Sequence, residues 1–193
     1  MNTMLDRMKR PARVAIVAAA VAAGLSAPLA IGASAGPGMP GCPSTDEIVA
    51  GFNKGLGYLV EDGSVSRAEA RDARAQFTTW AADQDGLGCA IRDGMMESGG
   101  DLLRFVGMTP AEMKDAYYAG DSLAEMARSN GHSRGELISF LEDMVDYGLD
   151  AFVAAGAFDD DIRDAIDARA EEHIGWAVDY EKGDPVPDHH DSN

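Results

Sequence analysis

The segment "DGSVSRAE", residues 62–69, carries side chains that could bind calcium. If Gly63 is placed at the sixth position of an EF-hand loop, oxygen-bearing side chains follow where ligands are needed. The first and third positions, however, fall on Tyr58 and Val60, which offer no carboxylate. We therefore interpret the segment as a connection between two helices, in which Ser66 and Glu69 form a helix cap.

A second segment, "AAGAFDDDI", repeats the glycine at Gly156 but has Ile162 where the calcium loop would need its final Glu. A glycine shared without shared ligands indicates a shared turn. We expect Gly63 and Gly156 to end a helix in the left-handed conformation. Ser66 and Asp159 should then cap the helices that follow.

Other side chains that could bind a metal are acidic or histidine residues. The run "FDDDIRDAID", Phe158–Asp167, offers five carboxylates, whereas His132 and His173 are isolated and His189 and His190 lie near the C-terminus. A zinc site needs three or four converging ligands at a recognisable spacing. We assign no metal ligand and no cofactor, and keep calcium or zinc binding by the acidic clusters as an alternative.

No local arrangement identifies a nucleophile and its base. We expect a protein without catalytic activity and assign no catalytic residue; an envelope enzyme with a non-local site is a less favoured alternative. Trp80, Trp176, Tyr117 and Tyr118 are expected to pack against the fold rather than to form a ligand platform.

The first 35 residues have the three parts of a secretory signal peptide. A basic start precedes an uncharged run at 14–25, and small residues end at Ala35, so cleavage is predicted between Ala35 and Gly36. An uncleaved anchor spanning 14–35 and a lipoprotein at Cys42 are the alternatives. After cleavage no stable membrane span is expected, and the protein should be secreted or extracytoplasmic at the cell envelope.

The two cysteines, Cys42 and Cys89, both follow this segment. An isolated pair in an oxidising compartment predicts a disulfide. A metal or redox pair would need closer spacing. On the chain-entropy account the bridge would stabilise the fold by roughly 4 kcal/mol.

Without residues 1–35 the chain has 12 Lys and Arg against 32 Asp and Glu, a formal charge of −20. Such a surface repels nucleic acid and favours cations and basic partners. We expect a binding or interaction module whose partner is an unknown protein or envelope component.

Helix caps recur along the rest of the chain, and no alternating apolar run predicts a strand. The Ser/Thr-x-x-Glu capping box begins at Ser44, Ser66, Thr109, Ser122 and Ser133, the last closing on Glu136. These caps and the apolar periodicity predict an all-α helical bundle. The predicted helices are 45–61, 66–83, 89–105, 109–118, 122–129, 134–155 and 160–182.

An internal repeat organises this bundle into two related helical hairpins. The segment from Gly55 matches the segment from Gly148, and after a slip of one to three residues "DARA" at 72–75 matches "DARA" at 167–170, as Trp80 matches Trp176. One hairpin cannot bury its apolar face alone, so the two should pack together.

The predicted parts are a signal peptide (1–35), a Gly/Pro linker (36–43), an all-α domain (44–183) and a disordered tail (184–193). The domain divides into a first hairpin (44–83), a Gly-rich connector with a helix (84–107), and a helix-turn-helix-like segment with the second hairpin (108–183).

The segment Ser122–Phe140 resembles a helix-turn-helix, with Gly131 in the turn and Ser133 capping the second helix. Asn130 and His132 stand where that motif is normally apolar. The second helix is acidic after its first residue, so it lacks the Lys and Arg that DNA phosphates require. We expect the geometry without the DNA-binding function.

Residues Val106–Ile174, with "SLAEMA" followed by "GHSRGEL", resemble a helical module recurrent in exported proteins of Gram-positive bacteria. That resemblance implies export and an all-α fold, and it implies no catalytic residues. The chain departs from the pattern at "AFDDDI" and at His132.

Overall fold

Most helices of the described chain begin at a side-chain cap. A computed structural model describes residues 41–184, and within that range the chain forms seven α-helices and no strand, which confirms the all-α prediction. The predicted signal peptide, most of the Gly/Pro linker and all but the first residue of the predicted tail lie outside the described residues. The helices are α1 (Thr45–Glu61), α2 (Arg67–Ala82), α3 (Leu87–Val106), α4 (Pro110–Ala119), α5 (Leu123–Ser129), α6 (Arg134–Ala154) and α7 (Asp160–Ala177).

All five capping boxes are present, and they fix where α1, α2, α4, α5 and α6 begin. At α2 the Ser66 amide donates to Glu69 Oε2 at 2.8 Å, while the Glu69 amide donates to the Ser66 hydroxyl at 3.2 Å. Each box satisfies two backbone donors that the first helical turn would otherwise leave unpaired. The Ser133–Glu136 box does the same for α6. Local sequence thus decides most helix starts.

The helix α3 forms despite Gly94, Gly99 and Gly100, because one of its faces is buried. Its first turn is held by the Cys42–Cys89 disulfide, with Cα atoms 4.6 Å apart, which confirms that prediction. Gly88 lies directly under the chain leading to α1. A Cβ atom there would lie 1.7 Å from the Pro43 carbonyl oxygen, so only glycine allows this approach.

The first hairpin (α1 and α2) and the second hairpin (α6 and α7) match residue for residue without a gap. Five residues separate the helices in each turn, and Gly63 and Gly156 have φ angles of 84° and 76°. The N-caps Ser66 and Asp159 keep the same offset of 93 residues. The buried positions follow it too: Phe52 and Val145, Gly55 and Gly148, Leu56 and Leu149, Leu59 and Phe152, Ala73 and Ile166, Phe77 and Ala170, Ala81 and Ile174.

This gapless match corrects the alignment predicted from sequence. The structural equivalent of Trp80 is His173 rather than Trp176, and the two "DARA" segments are two residues out of register. The slip is unnecessary because the turns have equal length. Burial and caps, rather than residue identity, define the equivalent positions.

The two hairpins pack together through aromatic side chains. From the second hairpin, Phe152 has its ring centroid 5.4 Å from that of Trp80 and 6.2 Å from that of Phe77. Phe158 lies 5.8 Å from Phe52 in a stacked arrangement. Large rings fill the space between the hairpins, so the core is continuous across them.

Polar contacts across this interface are reciprocal. The Gln76 amide donates to the Gly156 carbonyl at 3.2 Å, and Arg169 Nη1 lies 3.8 Å from Asp62 Oδ2. Gln76 and Arg169 are equivalent residues of the two hairpins, and each reaches the turn of the other. Such reciprocity is what an approximate two-fold relation between the hairpins would produce.

The helix-turn-helix-like turn packs on the end of α3. The Asn130 amide donates to the Phe105 carbonyl at 2.9 Å, and the His132 ring stacks on the Phe105 ring at 4.1 Å. A Cβ atom on Gly107 would lie 2.4 Å from the Asn130 oxygen. The two polar residues that depart from the motif therefore dock this turn.

The last helix ends at Ala177 rather than near residue 182, so that predicted boundary was wrong. The Val178 carbonyl accepts a hydrogen bond from the Ala124 amide at 2.9 Å. This hydrogen bond joins the end of α7 to the first turn of α5. The residue at which α7 ends therefore depends on tertiary packing.

Candidate functional site

Carboxylates concentrate on the outer surface of the second hairpin. The helices α6 and α7 are antiparallel neighbours, and acidic residues three, four or seven positions apart follow one line along each. We call this surface the acidic face. It consists of Glu142, Asp143, Asp146 and Asp150 on α6 and Asp164, Asp167 and Glu171 on α7.

One cation, Arg163, lies at the centre of the acidic face. Its guanidinium contacts Asp146, and lies 3.1 Å from Asp167, 3.3 Å from Asp150 and 3.3 Å from Asp164. The side chain is only 21% exposed, whereas those of Asp150 and Asp164 are more than 70% exposed. Arg163 therefore holds the two helices together and leaves most of the negative charge facing solvent.

The surplus charge affects the ionisation of two carboxyl groups. Burial raises the pKa of Glu142, and the negative charges of Glu171 and Asp167 raise it further. Burial also raises the pKa of Asp167, and Asp146 adds to the shift although Arg163 opposes it. Burial is the larger cause for both groups, and a cation docking here would stabilise their ionised forms.

The equivalent surface of the first hairpin has no carboxylate at these positions. Arg71 and Arg74 replace Asp164 and Asp167, and Ala70 replaces Arg163. The remaining equivalents on the first hairpin are neutral: Val49, Ala50, Asn53, Gly57 and Thr78. The hairpins share a backbone pattern and differ in surface charge, so the acidic face is a property of the second hairpin rather than of the fold.

The residues of the calcium-like segment serve the turn. Asp62 Oδ1 accepts from the Ser64 amide at 2.9 Å, and its other oxygen faces Arg169. Glu69 is held in the cap with Ser66. At Gly156 the chain turns the same way, and Asp159 accepts from the Ile162 amide at 3.1 Å.

Among residues 41–184, no group of three or more His, Cys, Asp and Glu side chains is arranged to hold a metal ion. In the same range, none of the helices is long and apolar enough to cross a membrane. His173 is buried beside Trp176 and His132 stacks on Phe105. His189 and His190 lie outside the described residues.

The basic residue at the start of the helix-turn-helix-like second helix, Arg134, is engaged within the protein. Its guanidinium donates to the Asp179 carboxylate at 2.7 Å and to the Gly175 carbonyl at 2.9 Å. The carboxylate holds the pKa of Arg134 above its usual value. This side chain joins α6 to the end of α7.

The aromatic residues considered from the sequence separate into two groups. Trp80 belongs to the interface between the hairpins. Trp176, near the end of α7, makes a tilted contact with Tyr180, and Tyr117 and Tyr118 contact each other at the end of α4. Lys182 Nζ lies 3.9 Å from the Tyr118 ring centroid.

Sequence reasoning identified the acidic run but missed Arg163 as its centre. The signal was present in the i, i+4 pair formed by Arg163 and Asp167, with Asp146 and Asp150 four apart on the preceding helix. Placing these four residues together requires the register of the hairpin, which the slipped alignment obscured. Comparison of the chain with family models, curated proteins and solved structures finds no match.

Proposed function

We propose that the protein is an exported, non-catalytic binding module whose acidic face docks a basic segment of a protein partner at or outside the cell envelope. The observation that carries this proposal is the charge difference between two equivalent surfaces. The acidic face of one hairpin has seven carboxylates, four of them against a single arginine, while the same positions on the other hairpin hold no carboxylate. A surface with one sign of charge steers and selects an oppositely charged partner.

Export is supported by residue patterns and by the disulfide. Residues 1–35 have the order of charge, apolar run and small residues that a signal peptide needs. The Cys42–Cys89 bridge is of the kind that persists in oxidising compartments. The resemblance of Val106–Ile174 to a module of exported Gram-positive proteins agrees with this placement.

A cationic helical peptide with Arg at i, i+4 and i+7 is the probe for the acidic face. Titration calorimetry should show binding to the purified protein that weakens as salt is raised. A peptide of the same length with Glu at those positions should not bind. Enzymatic turnover of a common esterase, peptidase or glycosidase substrate by the purified protein would contradict the non-catalytic part of the proposal.

The variant that tests the face neutralises four exposed carboxylates, Asp143→Asn, Asp150→Asn, Asp164→Asn and Glu171→Gln. Affinity for the cationic peptide should fall about 10-fold, since each of the peptide's three arginines loses an exposed charge pair that contributes roughly 0.5 kcal/mol. A matched control neutralises four exposed carboxylates elsewhere: Asp83→Asn, Asp85→Asn, Glu97→Gln and Asp115→Asn. Equal losses in both variants would mean that only net charge matters, and the proposed site would be wrong.

The metal-binding alternative has less support from the geometry. The oxygens of Asp146, Asp150 and Asp167 converge on the Arg163 guanidinium, which takes the place that a cation would occupy. Calorimetry with calcium and with zinc tests this alternative directly. Binding of either ion that is lost in the four-carboxylate variant would favour it over peptide docking.

A further inference from the structure

The outer surface of α2 carries a line of arginines, which we call the basic stripe. It consists of Arg67, Arg71 and Arg74, spaced i, i+4 and i+7, so their side chains leave the same side of the helix. Arg67 and Arg71 are exposed, and Arg74 is half-buried. Arg71 pairs with its neighbour Asp72, but both side chains are at least 70% exposed, so water screens this pair.

The outer surface of α7 carries the opposite charges at the equivalent positions, which we call the acidic stripe. Asp160, Asp164 and Asp167 stand 93 residues after the three arginines and have the same spacing. Each triad spans about 10 Å along its helix, at 1.5 Å per residue. A small exposed residue, Ala75 on α2 and Ala168 on α7, follows each triad directly. The small side chains allow helix axes to approach to about 8–10 Å.

We propose that the protein self-associates, the basic stripe of one copy docking against the acidic stripe of a second copy. This proposal rests on the proposed function, because it names the chain's own α2 as one basic segment that the acidic side of the second hairpin binds. The stripes lie on different hairpins, which pack through their other faces. Asp164 and Asp167 also lie 3.3 Å and 3.1 Å from Arg163, but this single cation leaves the acidic stripe with a surplus of negative charge. The two triads are opposite in sign and equal in spacing, so no other partner is needed to complement them.

The chain's net charge of −17 opposes association. That repulsion acts mostly at long range and is screened beyond about 8 Å at physiological salt. Contacts between the stripes lie within that distance and are screened much less. The contact joins two different surfaces, so it either closes into a ring or continues from copy to copy.

The experiment measures the mass of the oxidised protein by sedimentation velocity and light scattering, up to about 0.5 mM protein and at about 0.15 M salt. The wild type should form a dimer or larger species. Two variants should each be monomeric: Arg67→Glu with Arg71→Glu, and Asp160→Lys with Asp164→Lys. An equimolar mixture of the two variants should associate again, because the unchanged acidic stripe of one faces the unchanged basic stripe of the other.

Matched controls carry the same charge changes away from the stripes. Lys114→Glu with Arg128→Glu matches the first variant, and Asp83→Lys with Asp85→Lys matches the second. Both controls should retain the wild-type mass, and circular dichroism should show that every variant keeps its helices. A mixture that stays monomeric would overturn the proposal.

A wild-type protein that is monomeric at every concentration would also overturn self-association. If that monomer still binds the cationic helical peptide, the proposed function stands and only the identity of this partner is wrong. If it binds neither the peptide nor itself, both proposals are wrong. If the wild type associates and both stripe variants associate equally well, the interface lies elsewhere and the proposed contact between the stripes is wrong.

Discussion

The two hairpins use one backbone plan and present different surfaces. Their turn glycines, N-caps and buried positions correspond at a constant offset, while the acidic face of the second hairpin corresponds to neutral and basic residues on the first. Across residues 45–82 the net charge is −2, whereas across 134–177 it is −9. Folding requires the shared positions, so only the exposed positions were free to diverge in charge.

The hairpins also differ in how they are attached to the middle of the molecule. The first hairpin is tied covalently, because Cys42 immediately precedes it and bonds to Cys89 on α3. The second is held by a hydrogen bond at the end of α7, from the Ala124 amide on α5 to the Val178 carbonyl. Removing either attachment should therefore lower the stability of one hairpin more than that of the other.

The largest effect is expected from removing the disulfide. Cys42→Ala with Cys89→Ala should lower the free energy of unfolding by roughly 4 kcal/mol, because the unfolded chain regains the freedom of a long loop. Urea denaturation measures the loss. Hydrogen exchange should show greater loss of protection in α1 and α3 than in α6 and α7, and reducing agent should not destabilise the variant further. Equal stability of the variant and the wild type would contradict a structural role for the bridge.

The next effect concerns the aromatic interface between the hairpins. Phe152→Ala should cost about 3 kcal/mol, since it removes a buried ring that contacts Trp80 and Phe77. Tyr147→Ala, an exposed change on the same helix, should stay within about 0.5 kcal/mol of the wild type. A double-mutant cycle with Phe77→Ala should give a coupling of about 1 kcal/mol. A coupling near zero would mean that the hairpins are stabilised independently.

The turn glycines should behave alike in both hairpins. Gly63→Ala and Gly156→Ala should each cost about 1–2 kcal/mol, because a Cβ disfavours the left-handed conformation at both positions. Gly57→Ala is the control: it lies within α1 with open space around it and should stabilise by about 0.5–1 kcal/mol. Thermal unfolding measures all three. A large difference between Gly63 and Gly156 would contradict the equivalence of the turns.

The smallest effect depends on pH and concerns Glu142 in the second hairpin. Glu142 has a raised pKa in the folded protein, so folding is favoured when this carboxyl is protonated and the advantage is lost as pH rises through that pKa. Glu142→Gln should therefore stabilise the protein by a few tenths of a kcal/mol near pH 7, because water still screens this half-buried group. The difference from wild type should close as the pH is lowered. Glu61→Gln in the first hairpin is the control, and a similar gain there would contradict a special environment at Glu142.

Much of the fold could be predicted from local sequence, because capping boxes and apolar periodicity act over three or four residues. The N-caps of α4, α5 and α6, at Thr109, Ser122 and Ser133, are of this kind. The end of α7 was mispredicted because it depends on the contact of Val178 with Ala124, which are distant in sequence.

The candidate site was only partly predictable. The acidic run beginning at Asp159 is visible in the sequence, but its relation to α6 depends on which side chains reach Arg163 across the hairpin. Identical residues also misled the alignment, since "DARA" recurs two positions out of register. In helices the pattern of burial is a stronger guide to equivalence than a short identity, because packing constrains buried positions and leaves exposed ones free.

The most direct test of this comparison is to map where the cationic helical peptide binds. Amide chemical shifts of the labelled protein should change on α6 and α7 around Asp150 and Asp164 when the peptide is added. The equivalent amides of the first hairpin, around Gly57 and Arg71, should not change. Equal changes on both hairpins, or changes confined to the first, would contradict the assignment of the binding surface to the second hairpin.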